Sequence, residues 1–377
     1  MISSKTKLFF FTLTISILSI SYSTAQNKTA EFVAINQFFD SVSLVMKTQE
    51  IDSAFKEMVK TKRFNGNILI AKENKVLYNN CSGYADFQTK RKLSTSSQFE
   101  IASVSKQFTA VAILMLYEQK KLLLTDSVQK YIPDFPYKGI TIHQLLCHRS
   151  GLPEYFKFAD TYQQDKQYII NNDSLIRMLK VHHPKILETP DKKFEYNNTG
   201  YVVLASIVER ISGISFQDYV NQYIFKPLGM KESYFYHYGK SLKETATVGH
   251  KSGGKQYERD YLSGVLGDKG IFTSVNDLLI WDKSLYDASL LKPETLAMAF
   301  APKNKENSPC SNYGYGWRLS CDVHGNTLVY HGGLWNGNNT LFLKRPSDQV
   351  LIIFLSNIYN RGFSGKSTDF LSIIDGL

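Results

Sequence analysis

Apolar positions fall first into a helical rhythm over residues 27–62, with Phe32, Ile35, Phe38, Phe39 and Val42 followed by Phe55, Met58 and Val59. The rhythm changes to alternation in Asn67–Ala71 and Lys75–Tyr84 around a Glu73-Asn74 turn, which predicts a β-hairpin. Phe99 to Leu116 is apolar on nearly every face and predicts a buried helix. From Lys120 to about Pro302 the spacing is mostly helical with long loops. Its clearest helices are Gly200–Ile211, closed by Ser212-Gly213, and Ser274–Tyr286, with Ser274 as N-cap and Asp277 in the first turn. Alternation returns in Tyr313–Ser320, Thr327–His331, Asn339–Lys344 and Val350–Ser356, before a last helix at Ser367–Ile374.

A hairpin from one end of the chain and a meander from the other thus bracket a helical middle. The economical solution is an α+β fold, in which both chain ends build one antiparallel sheet and helices pack on it. The expected organisation is a single domain over residues 26–377. An α/β lobe comes from about 26–120 and 300–377, and a helical lobe from about 121–299. There are no internal repeats, linkers or low-complexity tracts.

Residues 1–25 read as an export signal. Lys5 and Lys7 form a charged start, Leu8–Ile20 is apolar but broken by Thr and Ser, and Ser23-Thr24-Ala25 is a small-residue cleavage site before Gln26. That stretch is too short and polar to span a membrane comfortably, so the mature chain is expected to be periplasmic or secreted, without a transmembrane span.

The net charge of +10 is scattered, with no block of like charge and no nucleic-acid motif; Lys192 and Lys193 belong to a solvated face. The four cysteines are Cys81, Cys147, Cys310 and Cys321. Export permits disulfides. Cys310 and Cys321 nevertheless flank the apparent strand Asn312–Ser320. At about 3.3 Å per residue it would hold them roughly 30 Å apart, so free thiols are expected. No Cys/His spacing matches a zinc site, and no metal or cofactor is expected.

Candidate chemistry begins at Ser103-Val104-Ser105-Lys106. Three residues apart on a buried helix, Ser103 and Lys106 share a face, which sets a nucleophile beside a base whose burial favours the neutral amine. The plain alternative is an N-cap serine with a snorkelling lysine. Tyr196-Asn197-Asn198 precedes the Gly200 helix. Tyr196 and Asn198, two apart in an extended loop, point the same way and offer a phenolic acid/base and an amide. The alternative is an Asx turn capping that helix. His331-Gly332-Gly333-Leu334 ends a strand, where two glycines allow close backbone approach and later N–H groups can serve an oxyanion. Trp335 and the following asparagines suit a cleft wall. Three other motifs fail on their required residues. Gly365-Lys366-Ser367 lacks the earlier glycine of a phosphate loop, Ser150-Gly151 lacks the glycine of a nucleophile elbow, and His182-His183 lacks a zinc-protease helix.

The order S-x-x-K, Y-x-N, H-x-G resembles the serine β-lactamase and penicillin-binding protein superfamily, in its class C-like branch of esterases, D-stereospecific peptidases and β-lactamases. The resemblance covers nearly all of residues 64–357. It includes Phe64–Ala71 as first strand, Leu145–Pro153 (L-L-x-H-x-S-G-L-P), Gly270–Leu278 and Tyr313–Trp317 (Y-G-Y-G-W). There are departures: Pro190-Asp191 stands where P-G is usual, and His331 stands where a lysine would, which disfavours an efficient β-lactamase.

The resemblance implies two-step acyl transfer. Ser103 attacks a carbonyl, Lys106 and Tyr196 shuttle the proton, and Asn198 holds a substrate amide. His331 would sit beside Tyr196 and tune it, and the N–H groups of Ser103 and Leu334 would form the oxyanion hole, with Gly332 and Gly333 lining the site. The implied partner is a small-molecule or peptide substrate, with the cell wall as one source. The rival is a non-catalytic protein that recognises cell-wall peptides.

Overall fold

The computed structural model describes residues 44–61, 64–237, 241–360 and 364–376. The export signal at residues 1–25 and the helical pattern of residues 27–43 lie outside the described residues. The chain divides into two units, residues 1–54 with 369–377 and residues 55–368. In the smaller unit the described residues are largely helical: residues 44–54 open α1 (residues 44–61), and residues 369–374 belong to the last helix, Ser367–Ile374, which matches its predicted bounds.

The larger unit is built on β1 (Gly66–Lys72) and β2 (Lys75–Ser82), the predicted hairpin. Its two-residue turn has Glu73 and Asn74 at φ 50° and 61°, the signature of a type I′ turn. Gly83, at φ 102°, ends the ladder, and β3 (Tyr84–Asp86) pairs instead with β4 (Arg91–Lys92). After β5 (Phe99–Glu100), α2 (Lys106–Glu118) runs through the core, with Phe108 stacked on Trp281 at 4.1 Å. The middle of the chain supplies α3 (Ile142–Leu146), α4 (Tyr155–Tyr162), α5 (Asn172–His182), α6 (Asn198–Ser212), α7 (Phe216–Val220) and α8 (Lys226–Leu228). The strand β6 (Tyr234–Phe235) joins β7 (Ile271–Thr273) and β5 in a small sheet. Then come α9 (Val275–Ser284), capped by Ser274 as predicted, and α10 (Pro293–Phe300). The remaining strands are β8 (Ser311–Tyr313), β9 (Arg318–Cys321), β10 (Thr327–Trp335), β11 (Asn338–Arg345) and β12 (Val350–Ser356).

The main sheet has the order β2-β1-β12-β11-β10-β9-β8, antiparallel throughout. The two chain ends meet where β1 pairs with β12, from Gly66 opposite Ser356 to Lys72 opposite Val350. This is the α+β arrangement expected from the sequence. Both β11 and β12 are buried along their whole length, so their inner and outer faces are both covered.

The expectation of free Cys310 and Cys321 is corrected. Tyr313–Ser320 is not one strand but a hairpin: the Gly314 N–H reaches the Trp317 carbonyl at 2.8 Å, and Gly316 takes φ 89°. Tyr313 then faces Arg318 across the ladder, and the two cysteine Cα atoms lie 4.9 Å apart, joined by a disulfide. Glycines at two of five positions in Y-G-Y-G-W are the turn signal that a straight-strand reading ignored. Replacing both cysteines by serine is expected to cost about 3 kcal/mol, by the loop-closure estimate for a loop of this size. Calorimetry of the variant beside the oxidised protein checks this, and an unchanged melting temperature would contradict it.

Candidate active site

The nucleophile turn starts from a strained residue. The expected helix does not begin at Phe99. β5 is followed by Ala102 at φ 49°, then a single 3₁₀ turn over Ala102–Ser105, and only then α2. The left-handed conformation costs an alanine about 1–2 kcal/mol. Bonds on both sides of the preceding residue hold it: Ile101 N–H donates to the Ile271 carbonyl at 2.9 Å, and the Thr340 hydroxyl donates to the Ile101 carbonyl at 2.9 Å. Ser103 is thereby presented to a cavity of about 490 Å³.

Lys106 lies fully buried behind Ser103. Its Nζ is 3.0 Å from Ser103 Oγ, 2.8 Å from Asn198 Oδ1 and 3.0 Å from the Asp268 carbonyl oxygen. As an ammonium it donates to all three. As a neutral amine it has two N–H bonds and one lone pair, and the two carbonyl oxygens can only accept. The lone pair therefore falls on Ser103, the one partner that can donate to it.

The Y-x-N loop divides its tasks. Asn197 is the helix cap, accepting the Gly200 N–H at 2.9 Å and donating to the Leu152 carbonyl at 2.7 Å. The Asx-turn reading is thus right for Asn197, and it sets Tyr196 and Asn198 on either side of the cap. The Tyr196 ring lies 4.3 Å from that of His148, with the Arg318 guanidinium at 4.9 Å and the Lys106 amine at 5.1 Å. The Asn198 backbone N–H and Nδ2 both donate to Glu154 Oε2, at 3.0 and 3.3 Å.

On the far wall, β9 pairs with β10 only from Thr327 to Tyr330, so His331–Trp335 continue beyond it as an edge of the sheet along the cavity. Gly333 packs on the nucleophile turn, where a Cβ would overlap the Ile101 carbonyl and the Thr340 hydroxyl. A Cβ on Gly332 would meet nothing nearer than the Thr340 carbonyl oxygen at 3.7 Å. His331 lies beside Tyr196 and bonds to its own strand and to Tyr313. Its Nδ1 bonds to the Gly332 carbonyl at 2.7 Å, so that nitrogen carries the proton, and its Nε2 accepts from the Tyr313 hydroxyl at 3.1 Å. Its ring centroid is 6.1 Å from that of Tyr196. The two rings are neighbours, and both also pack against Tyr313.

Ser103, Tyr196, Asn198, His331, Gly332, Gly333 and Leu334 all line the cavity, with Lys106 directly beneath. The sequence reading missed Arg318, Lys269, Asp268, Glu154 and Phe156. Phe156 stacks on Trp335 at 5.2 Å to form an apolar wall. Lys269 donates to the Tyr155 hydroxyl at 2.8 Å, and that hydroxyl donates to Asp268 Oδ2 at 2.9 Å. Two adjacent charges between Gly267 and Gly270, just before an apolar strand, were the available signal for Asp268 and Lys269. Arg318 had none. Among the described residues no cluster of three His, Cys, Asp or Glu side chains is placed to hold a metal.

Burial lowers Lys269 and raises Glu154 from their ordinary ranges. Burial also pushes His148 and His331 well below the usual imidazole range, helped by Lys106 and Arg318. The unfolded chain protonates both histidines near pH 6.5 and the folded chain does not, so the stability these two contribute is fully present above that pH and is lost as the pH drops below it. The pair is expected to contribute a slope of roughly 2–3 kcal/mol per pH unit there. Urea midpoints at pH 7 and 5 measure it. His331→Gln should remove about half of the histidine contribution, and an unchanged slope in that variant would contradict the assignment.

Residues 51–372 match the family described as Beta-lactamase. The chain belongs to that family. The β-lactamase family lies within a superfamily of serine hydrolases that includes penicillin-binding proteins, as the motif order implied. Penicillin-binding protein 4* of Bacillus subtilis strain 168 is 32% identical over 328 residues, covering 82% of this chain and 72% of that protein. The octameric penicillin-binding protein homologue of Pyrococcus abyssi superposes with a TM-score of 0.75 at 26% identity, over 87% of this chain and 77% of that one. The D-amino acid amidase of Ochrobactrum anthropi SV3, solved with D-phenylalanine, shares the fold at a TM-score of 0.71 and 20% identity, over 88% of this chain and 99% of that one.

Proposed function

We propose that the protein is an exported serine hydrolase that forms an acyl-enzyme on Ser103 and cleaves an amide or ester bond close to a carboxylate, as at the end of a D-amino-acid peptide. The observation that carries the chemistry is the lone-pair geometry of Lys106, whose two other partners are obligate acceptors. Lys106 takes the Ser103 proton as Oγ attacks the carbonyl carbon. The oxyanion is received by the Ser103 and Leu334 N–H groups, and Tyr196 passes a proton to the leaving group. Water then attacks the acyl carbonyl, its proton returns through the same groups, and Ser103 Oγ departs.

Arg318 supports the substrate class. It lines the cavity against Tyr196 and has no acidic partner among the described residues, so a substrate carboxylate is a fitting counter-ion. Export is supported by the charged and apolar pattern of residues 5–25 and by the Cys310–Cys321 disulfide.

The test is hydrolysis of p-nitrophenyl acetate by residues 26–377 beside Ser103→Ala, then of a D-alanyl-D-alanine peptide and its C-terminal amide. Activity is expected to vanish in Ser103→Ala. Arg318→Leu should raise KM for the free-acid peptide roughly tenfold and leave that for the amide unchanged, as loss of a charge-assisted pair predicts. Equal activity with and without Ser103 ends the proposal, and equal KM shifts for both peptides end the carboxylate assignment.

A further inference from the structure

Which end of the Asn198 amide faces Lys106 decides whether Lys106 can aim its lone pair at Ser103. With Oδ1 toward the amine, Asn198 can only accept, and the lone pair is left for the serine. With the amide reversed, an N–H would face Nζ and compete with Ser103 for that lone pair. Within Asn198 itself both orientations have the same shape, so something outside it must choose.

That choice is made at Glu154. Glu154 occupies the N-cap position of α4, yet its side chain makes no capping bond to that helix. The carboxylate turns instead to the start of α6, where the single oxygen Oε2 receives both the backbone N–H and the side-chain Nδ2 of Asn198. Its other oxygen, Oε1, is buried and has no partner among the described residues. With Glu154 as a carboxylate, reversing the amide would set Asn198 Oδ1 against Oε2, two acceptors in hydrogen-bond range with no proton between them.

We propose that Glu154 is a positioning residue: by accepting both N–H groups of Asn198 on one oxygen, it locks the amide with Oδ1 toward Lys106 and so directs the amine lone pair to Ser103. This rests on the serine-hydrolase reading of Ser103 and Lys106. It assigns Glu154 no contact with substrate. Because only Oε2 is used, the acceptor matters and the negative charge does not. A glutamine can keep its carbonyl oxygen on Asn198 and place its amide nitrogen where Oε1 now has no partner.

The experiment measures acylation of Ser103 by p-nitrophenyl acetate in single turnover, with intact mass to confirm the acyl-enzyme. Glu154→Met is expected to slow acylation about 10- to 100-fold, the scale of a misplaced catalytic group, with KM nearly unchanged. Glu154→Gln should restore most of the rate. In an Asn198→Ala background, Glu154→Met should cost nothing further, since there is no amide left to orient. Should Glu154→Met not fold, Glu154→Asp withdraws the carboxylate by one methylene and is read in the same way. Unmodified acylation rates in Glu154→Met overturn the inference. So does a Glu154→Gln protein as slow as Glu154→Met, which would make the charge the active feature, and so does an undiminished loss without Asn198. Acylation that persists in Ser103→Ala overturns the serine-hydrolase reading and this inference together, whereas a Ser103-dependent rate indifferent to Glu154 overturns this inference alone.

Discussion

Lys106→Met is expected to lower ester turnover by a factor on the order of 10²–10⁴, the usual worth of a positioned general base. KM should change little, because the amine lies behind Ser103 with all three of its hydrogen bonds inside the protein. Methionine fills nearly the same volume, so packing around the fully buried position is kept. It supplies no donor, however, and leaves Asn198 Oδ1 and the Asp268 carbonyl unpaired. A stability loss of about 1–3 kcal/mol should accompany the loss of rate. Urea denaturation and steady-state kinetics on the same preparation separate the two effects. A variant that keeps more than a tenth of the turnover would remove Lys106 from the proton path.

Gly333→Ala should damage stability and activity together. The added methyl would overlap the Ile101 carbonyl and the Thr340 hydroxyl, and would press on Ala102 at 3.1 Å. Those groups fix the strained turn that presents Ser103, and the Thr340–Ile101 hydrogen bond is one of its two supports. Relief requires β10 to move away from the turn, which widens the site between Ser103 and the His331–Trp335 edge. We expect a loss of about 1–3 kcal/mol from overpacking. Acylation should fall by about 10- to 100-fold, since a displacement near 1 Å suffices for that. Gly332→Ala is the matched control for stability: its Cβ has room, and its melting temperature should stay within a few degrees of the parent. Equal melting temperatures for the two variants would show that the contact with the nucleophile turn does not constrain the strand.

Much of this was legible because it is local. The Glu73-Asn74 turn, the Ser274 cap, the αL Gly213 that closes α6, and the bounds of β12 and the last helix follow from periods of two and 3.6 and from residues with restricted backbone preferences. The Ser103–Lys106 contact is also local, since the helical repeat alone brings residues three apart onto one face. Where local reading failed, the reason was again physical. Phe99–Leu116 is uniformly apolar, and a buried strand followed by a tight turn has the same composition as a buried helix. Two glycines folded Tyr313–Ser320 back on itself and brought Cys310 to Cys321.

Residue pattern was enough for the antiparallel sheet built from both ends, the serine–lysine pair, and the Tyr196 and His331–Leu334 segments that close on it. How that pair is wired depends on contacts between segments far apart in the chain. Asn198 lies 92 residues from Lys106, and Asp268, which contributes a backbone carbonyl, lies 162 away. A carbonyl oxygen belongs to every residue type and leaves no mark in a sequence. Nor does a sequence say which way an amide turns, or that a glutamate at one helix start serves the start of another. Arg318 reaches the cavity because the glycine hairpin folds β9 back along β8 and β9 then pairs with β10, with Arg318 opposite Tyr330. These contacts depend on where distant segments meet, and packing of the whole chain, not local preference, sets that.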